Sequence, residues 1–539
     1  MRRRSFLKSS VMGLGGMLLK TSGAFSAKPS YDVIVYGATA SGVVAAVAAA
    51  RQGASVALLE PGMHLGGMVS SGLGHTDTGR KETIGGISRE FFRRVGRHYG
   101  KPIAWNFEPH VAEDVFDEIA SLARVDVLYN SLLSERGGVQ KKGTRITSIR
   151  MESGNVFSAP VFIDATYEGD LIGQAGVTFA WGREGRDQYD ESFAGVRDSH
   201  KYASHWFEVP VSAYDDHHRL LPNINHGPRG KAGAGDKKVQ AYNFRLCLTK
   251  VRENRIPIPK PFDYNPRDYE LLARLIEATA QKHGSVPRLS QFISISPLPN
   301  GKTDINNNGA FSTDYIGKNW DYPTSGYQRR GDLWRQHANY TAGFFHFLAH
   351  DRRVPKELRT ETAEWGLAGD EFEDSNNWPF QLYVRESRRM IGGYVMTQHD
   401  IETDVTKPDP IGMGSYNTDS HNVQRYVQAD GNVQNEGDTE VPTIPYQIPY
   451  RVLLPKPDQC GNLLVSVCVS ASHIGYGTLR LEPVYMIMGQ AAGVAATMAI
   501  DHRRPVQEVE PAALTQELKK QGAVMEWTNP EHLKLKPVS

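Results

Sequence analysis

Apolar residues follow more than one rhythm along this chain. Short unbroken runs predict strands buried on both faces: Val33 to Tyr36, Ser55 to Leu59, Val161 to Ile163 and Leu463 to Val467. A helical rhythm predicts an amphipathic helix from Ile84 to Val95, with Phe91, Phe92 and Val95 on one side. Another is expected from Glu108 to Leu122, with Val111, Val115 and Ile119 on its face. Val43 to Arg51 and Tyr485 to Ile500 read as helices of small residues that can approach a neighbour closely. Val125 to Asn130 reads as a strand, and Arg145 to Met151 with Asn155 to Ser158 as a hairpin around Glu152-Ser153-Gly154. From Trp181 to about Val441 long periodic runs become rare and aromatics, Asn, His and Pro become frequent. That stretch is expected to be a separate part of mixed sheet and helices.

The first strand, turn, helix and second strand form one βαβ unit. The turn is Gly37-Ala38-Thr39-Ala40-Ser41-Gly42, and the second strand ends on Glu60. Gly37 permits a sharp turn, Gly42 lets the helix lie against the sheet, and the helix N-terminus offers free N–H groups to a pyrophosphate. Glu60 is suited to both hydroxyls of an adenosine ribose and would repel a 2′-phosphate. Thr39 stands where the motif G-x-G-x-x-G has its middle glycine, and its Cβ is expected to crowd the pyrophosphate. The glycine-rich loop Pro61 to Asp77 follows, with Gly66, Gly67 and Met68 able to bring backbone N–H groups to a cofactor. Asp164-Ala165-Thr166 ends a further strand that returns the chain to the same sheet. Gly489, Ala492 and Gly493 mark a C-terminal helix expected to approach the sheet or the cofactor, with a dipole able to stabilise charge on it.

Composition narrows the choices. The 539 residues are 40% hydrophobic and 22% charged with a net charge of +1, so nothing points to a nucleic-acid or anionic-membrane surface. No run beyond the N-terminus reads as long and apolar enough to span a bilayer. Cys247, Cys460 and Cys468 show no metal spacing and no metal site is expected; buried thiols are preferred over one disulfide between Cys460 and Cys468. Asn300 to Asp314 has the early spacing of a calcium loop in Asp304, Asn306 and Asn308, but Tyr315 stands where the closing Glu belongs, so a structured polar loop is expected. Arg3-Arg4-Ser5-Phe6-Leu7-Lys8 is similar to the twin-arginine export signal, which predicts a targeting segment over 1–27 and a periplasmic or otherwise extracytoplasmic location in a bacterium.

Taken together, the segments YDVIVYGATASGVVAAVAAARQGASVALLEP, HLGGMVSSGLGHTD, FIDATYEGDLIGQAGV, LYVRESRRMIGGYVMTQHD and SASHIGYGTLRLEPVYMIMGQAAGVAA resemble a bacterial family of FAD-dependent oxidoreductases. That family is distantly related to the fumarate reductase and glutathione reductase flavoproteins, and Thr39 in place of glycine is common in it. The resemblance implies FAD as cofactor and an α/β fold: a Rossmann-like FAD-binding domain built from both chain ends (31–180 and 442–539) and an inserted α+β substrate domain (181–441). The expected activity is a dehydrogenase or oxidase taking a hydride from a polar, hydroxyl-bearing small molecule such as a carbohydrate, with the electron acceptor open. The alternatives are a fumarate-reductase-like ene reductase of a carboxylate and a non-catalytic exported binding protein. His473, in a loop expected over Ser470 to Arg480, is the expected general base, with His421 next in line. Arg385 and Arg480 are expected to orient substrate or stabilise reduced flavin. His64 and His75 lie where a covalent flavin link could form, although a hydrogen-bonding role is preferred.

Overall fold

A computed structural model describes residues 30–198 and 200–527. The twin-arginine segment lies outside them. A parallel five-stranded sheet is built from β1 (Val33–Tyr36), β2 (Val56–Leu59), β3 (Asp126–Leu128), β4 (Val161–Asp164) and β5 (Leu463–Val465), in the order β5-β4-β1-β2-β3. Its side chains alternate between two cores: Val33 and Val35 enter one, Ile34 and Tyr36 the other. Both faces are therefore covered, which explains the unbroken apolar runs.

The helices that matter here are α1 (Ala40–Arg51), α2 (Gly86–His98), α3 (Pro109–Leu122), α4 (Tyr327–His350), α5 (His473–Leu479) and α6 (Glu482–Asp501). α1 starts three residues before the expected Val43, because the Thr39 side chain caps it by accepting from Gly42 N at 3.2 Å. α6 packs along α1 so closely that a Cβ on Gly489 would lie 2.2 Å from Ser41 O and one on Gly493 2.2 Å from Ala45 O. By length and composition α6 is apolar enough to cross a membrane, which the sequence pattern had not suggested; here 89% of its apolar window is buried inside the protein.

The middle of the chain departs from expectation in particular places. It contains an antiparallel sheet of Arg255–Ile256, Gly366–Ala368, Leu246–Thr249, Lys302–Asn307 and Ile293–Pro297. Lys302–Asn307 is thus an interior strand, not the polar loop expected over Asn300 to Asp314. Its polar residues are tolerated because they are paired: Asp304 holds Arg245, and Lys302 Nζ holds Glu108, Asp370 and Glu371 at 2.6–2.8 Å. The 24-residue α4 was hidden by its mixed surface. Ser470 to Arg480 is also not a loop. Ser472 caps α5 at Gly475 N, and the glycines are there because a Cβ on Gly475 would stand 2.4 Å from Met396 O. The three cysteines are buried and free.

Candidate active site

The turn between β1 and α1 is a close-fitted backbone structure. Gly37 has φ +94°, and a Cβ on it would lie 2.8 Å from Thr166 Cγ2; a Cβ on Gly42 would lie 1.9 Å from Gly37 O. The Thr39 hydroxyl donates to Ala165 O at 2.8 Å, so it is turned back into the protein and the crowding expected of Thr39 is relieved. Ala40 opens the helix, and Ser41 Oγ bonds Ser466 Oγ at 2.9 Å. Glu60 accepts from Ala38 N and Gly62 N, both at 2.7 Å. Burial, only partly offset by those bonds, pushes its carboxyl up to about 7.

Gly37, Thr39 and Glu60 face a cavity of about 580 Å³, lined also by Gly67 and Thr166 among others; Ala40, Ser41 and Gly42 do not line it. Gly66 N donates to Ala38 O at 2.8 Å, which seats the glycine-rich loop on the turn. Gly67 has φ +56° and leaves room only for the Tyr167 ring beside it, and Met68 N donates to Tyr167 Oη at 3.0 Å. Asp164 and Ala165 stand behind the wall: Asp164 accepts from Thr166 N, Thr166 Oγ1 and Ile172 N, and Ala165 N donates to Tyr36 O. Burial raises Asp164 to about 6. The glycine cradle, the N-terminus of α1 and the acid at the tip of β2 fit an adenine dinucleotide.

The far wall was not foreseen. Glu168, Asp170, Tyr322, Tyr327, Arg330 and Phe380 complete the cavity. Arg330 Nη1 and Nη2 hold Asp170 at 2.6 and 2.9 Å. The Tyr-Glu-Gly-Asp run after Asp164-Ala165-Thr166 was the available signal for Glu168 and Asp170; nothing local marked the first turn of α4. His64 stacks on Phe380 at 3.9 Å and lies between Glu113 (3.0 Å) and Asp374 (3.2 Å). His75 is exposed. Gly489, Ala492 and Gly493 are not on the cavity. They serve the α1–α6 contact, because the close approach their size permits is to a helix backbone.

Arg385, His421 and Arg480 come together elsewhere, in a buried cluster. Arg385 Nη1 lies 3.0 Å from Asp314 Oδ1, and His421 Nδ1 lies 2.9 Å from Asp314 Oδ2. Arg480 Nη2 holds Asp419 Oδ2 at 2.6 Å, and His421 Nε2 stands 3.7 Å from the same oxygen. Burial, reinforced by Arg385, pushes His421 well below its ordinary value, so its imidazole is neutral. Burial would raise Asp419, but the Arg480 and Arg385 charges hold it low.

His473 lies behind that cluster. Its Nδ1 is 2.7 Å from Glu386 Oε2 and its Nε2 3.1 Å from Ser420 Oγ. Burial, then the Arg389 and Arg183 charges, bring it down to about 3. Both ring nitrogens therefore have protein partners, which does not suit the base role expected of it; His421 keeps Nε2 without a close bond. Glu108, His110 and Glu371 have metal-like spacing, but Lys302 Nζ already sits 2.8 and 2.6 Å from the two carboxylates.

A parallel sheet with a glycine turn, a ribose acid and a cavity between them defines a mixed α/β FAD-binding oxidoreductase fold. Residues 32–518 match the family model described as FAD dependent oxidoreductase, and the chain belongs to that family. It is an FAD-dependent oxidoreductase. Similar solved structures include OxyS anhydrotetracycline hydroxylase from Streptomyces rimosus, at 15% identity over 32% of this chain and 41% of that one, with a TM-score of 0.23. L-amino acid deaminase from Proteus vulgaris shares 16% identity over 31% of this chain and 62% of that one, TM-score 0.23. An oxidized steroid monooxygenase bound to NADP shares 19% over 30% and 29%, TM-score 0.20. The matched part thus spans less than two thirds of each of these proteins. No curated protein matches the chain.

Proposed function

We propose that this protein is an exported flavin-dependent dehydrogenase or oxidase that takes a hydride from a hydroxyl-bearing polar small molecule, with a carbohydrate as the leading candidate. The observation that carries this reading is the Asp314–His421 pair. Asp314 fixes the imidazole through Nδ1, and Asp419, 3.7 Å from Nε2, favours the charge the ring would gain on taking a hydroxyl proton, against the burial and the Arg385 charge that keep it neutral at rest. FAD, which the Gly37–Thr39 turn, Glu60 and Gly67 would hold, would supply the hydride-accepting chemistry, with dioxygen, a quinone or a haem protein as the electron acceptor. Two connections support the link between cluster and cofactor. The glycine-rich loop Pro61 to Asp77 that carries Gly66 and Gly67 ends at the half-buried Asp77, whose carboxyl is raised by burial, with Arg245, Asp419 and Arg480 also acting on it. Arg480 is also separated by only Leu481 from the first residue of α6.

Charge pairing favours a neutral substrate. Arg245 is held by Asp304, Arg385 by Asp314 and Arg480 by Asp419. Among the described residues each of these three guanidinium groups thus already has a carboxylate partner. Ser420 joins His473 to the cluster from behind, which gives His473 a positioning role. The pairing of β5 with β4 supports a cofactor-binding unit drawn from 31–180 and 442–539, with 181–441 inserted as the substrate part.

Anaerobic mixing of the purified protein with sugars, polyols and carboxylates tests the substrate class. Bleaching of the flavin by a polyhydroxylated compound is expected; bleaching by none of them, with rapid reoxidation of reduced flavin by an unsaturated carboxylate, would sink it. Export rests on Arg3-Arg4-Ser5-Phe6-Leu7-Lys8. Changing Arg3 and Arg4 to Lys should leave folded, yellow protein in the cytoplasm, and normal export of that variant would refute the twin-arginine route.

A further inference from the structure

The cofactor cavity holds more acid than an anionic ligand favours. Glu60, Glu168, Asp170 and Asp374 line it, against His64 and Arg330. Most of these charges are already matched. Asp170 holds Arg330 and also Arg388 Nη1 at 2.6 Å. His64 lies between Glu113 and Asp374, and Glu60 is bound by two backbone N–H groups. Glu168 is the exception. Among the described residues its carboxyl has a hydrogen bond from the Tyr322 hydroxyl, 2.9 Å from Oε1, and no ion pair. Arg330 acts on it from a distance but is committed to Asp170. Glu168 follows Thr166 and Tyr167 in the turn packed against Gly37, the place where α1 presents its N-terminus. A dianionic diphosphate held there meets an acid that no cation neutralises.

We propose that Glu168 is a cofactor-contacting residue that meets the FAD diphosphate as a neutral acid, so that capture of FAD takes up a proton. Its protonated oxygen donates to the diphosphate while Oε1 keeps the Tyr322 hydroxyl. The groups facing it agree with this. Asp170 adds negative charge, Arg388 bonds its backbone oxygen, and the Tyr167, Tyr242 and Tyr322 hydroxyls are neutral, each raised by burial. Burial raises the Glu168 carboxyl already without a ligand, reinforced by Asp170 and only partly countered by Arg330.

Glu60 moves a proton the other way. It must be ionised to accept from ribose hydroxyls, so with a value of about 7 it releases a proton on binding near neutrality. The two acids are separable by pH. Above about pH 8 Glu60 is already ionised and Glu168 alone remains coupled.

The test strips flavin from the full-length protein, titrates FAD back by flavin fluorescence, and follows protons with an indicator in weak buffer. Above about pH 8 wild-type affinity should fall toward tenfold per pH unit, with uptake approaching about one proton per FAD. Glu168→Gln should lose that fall and that uptake while keeping the proton release that belongs to Glu60, moved to lower pH because the Glu168 charge helps raise Glu60. Tyr322→Phe leaves Glu168 in place and removes the hydroxyl that favours its ionised form, so the fall should begin at higher pH. This second variant serves if Glu168→Gln does not fold. The wild-type slope and uptake persisting in Glu168→Gln, their absence from the wild type above pH 8, or an unmoved onset in Tyr322→Phe would each overturn the proposal.

Discussion

The cofactor cavity and the buried cluster around His421 are made by different means. The near wall of the cavity is set by close-packed backbone: Gly37, Gly42, Gly66 and Gly67 let the turn, α1 and the glycine-rich loop meet where a Cβ would collide with protein atoms. The cluster is made of side chains, three Arg–Asp pairs and a histidine gathered from residues 245 to 480. In the first, steric room is the fragile quantity; in the second, charge balance. A substitution that fills space should therefore be worst at the cavity, and one that removes a single charged or proton-accepting group should be worst at the cluster.

The largest effect is expected from Gly42→Val. Its Cβ would lie 1.9 Å from Gly37 O, on backbone that cannot yield, so the purified protein should be colourless or aggregated by its ratio of visible to ultraviolet absorbance. A fully yellow variant would erase the steric side of the contrast. Next, His421→Ala should retain FAD but lower the rate of flavin reduction by about 10²–10⁴-fold in stopped-flow measurements. A loss of only a few-fold would move the proton acceptor elsewhere.

The contrast also explains what could be read in advance. Val33 to Glu60 announced itself because strand, turn, helix and acid are neighbours in sequence and their roles are steric. The cluster did not, since Asp314 and the Asp419–His421 stretch acquire meaning only when they are folded together with the distant Arg385 and Arg480. Arg385, Arg480, Asp419 and His421 are legible as polar candidates, but which carboxylate pairs with which arginine is not, and pairing is what sets their chemistry. His473 was chosen for its place before α6; the burial that gives both its nitrogens partners has no local signature. The small size of Gly489 and Gly493 predicts close approach but says nothing about which surface is approached, and that surface is α1.

Smaller effects sharpen the comparison. Glu482, at the start of α6, is buried with Tyr167 Oη donating to Oε1 at 2.7 Å, and burial raises it from 4.5 to about 8. Between those values the folded protein keeps a proton that the unfolded chain has lost. Raising the pH through that window should cost stability, at up to about 1.4 kcal/mol per unit, with the loss complete above about pH 8. Glu482→Gln should flatten the curve in denaturant titrations of the flavin-free protein, and an unchanged slope would show that other groups dominate. Smallest, Thr39→Ala removes the cap of α1 and its bond to Ala165 O. About 1 kcal/mol of stability should go with it, seen as a lower denaturation midpoint with FAD still bound.

The contact of Gly489 and Gly493 with α1 also sets a schedule for assembly. Ser41 reaches Ser466 across 425 residues of chain, and α1 finds its covering helix only after that. During synthesis the cofactor unit waits, with the apolar flank of α1 and one edge of β4 uncovered, until β5 and α6 have been made. A chain released before α6 would lack that cover, however complete its glycine turn. A fragment carrying β5 to α6, supplied separately, is therefore the piece with which such a truncated chain could be complemented.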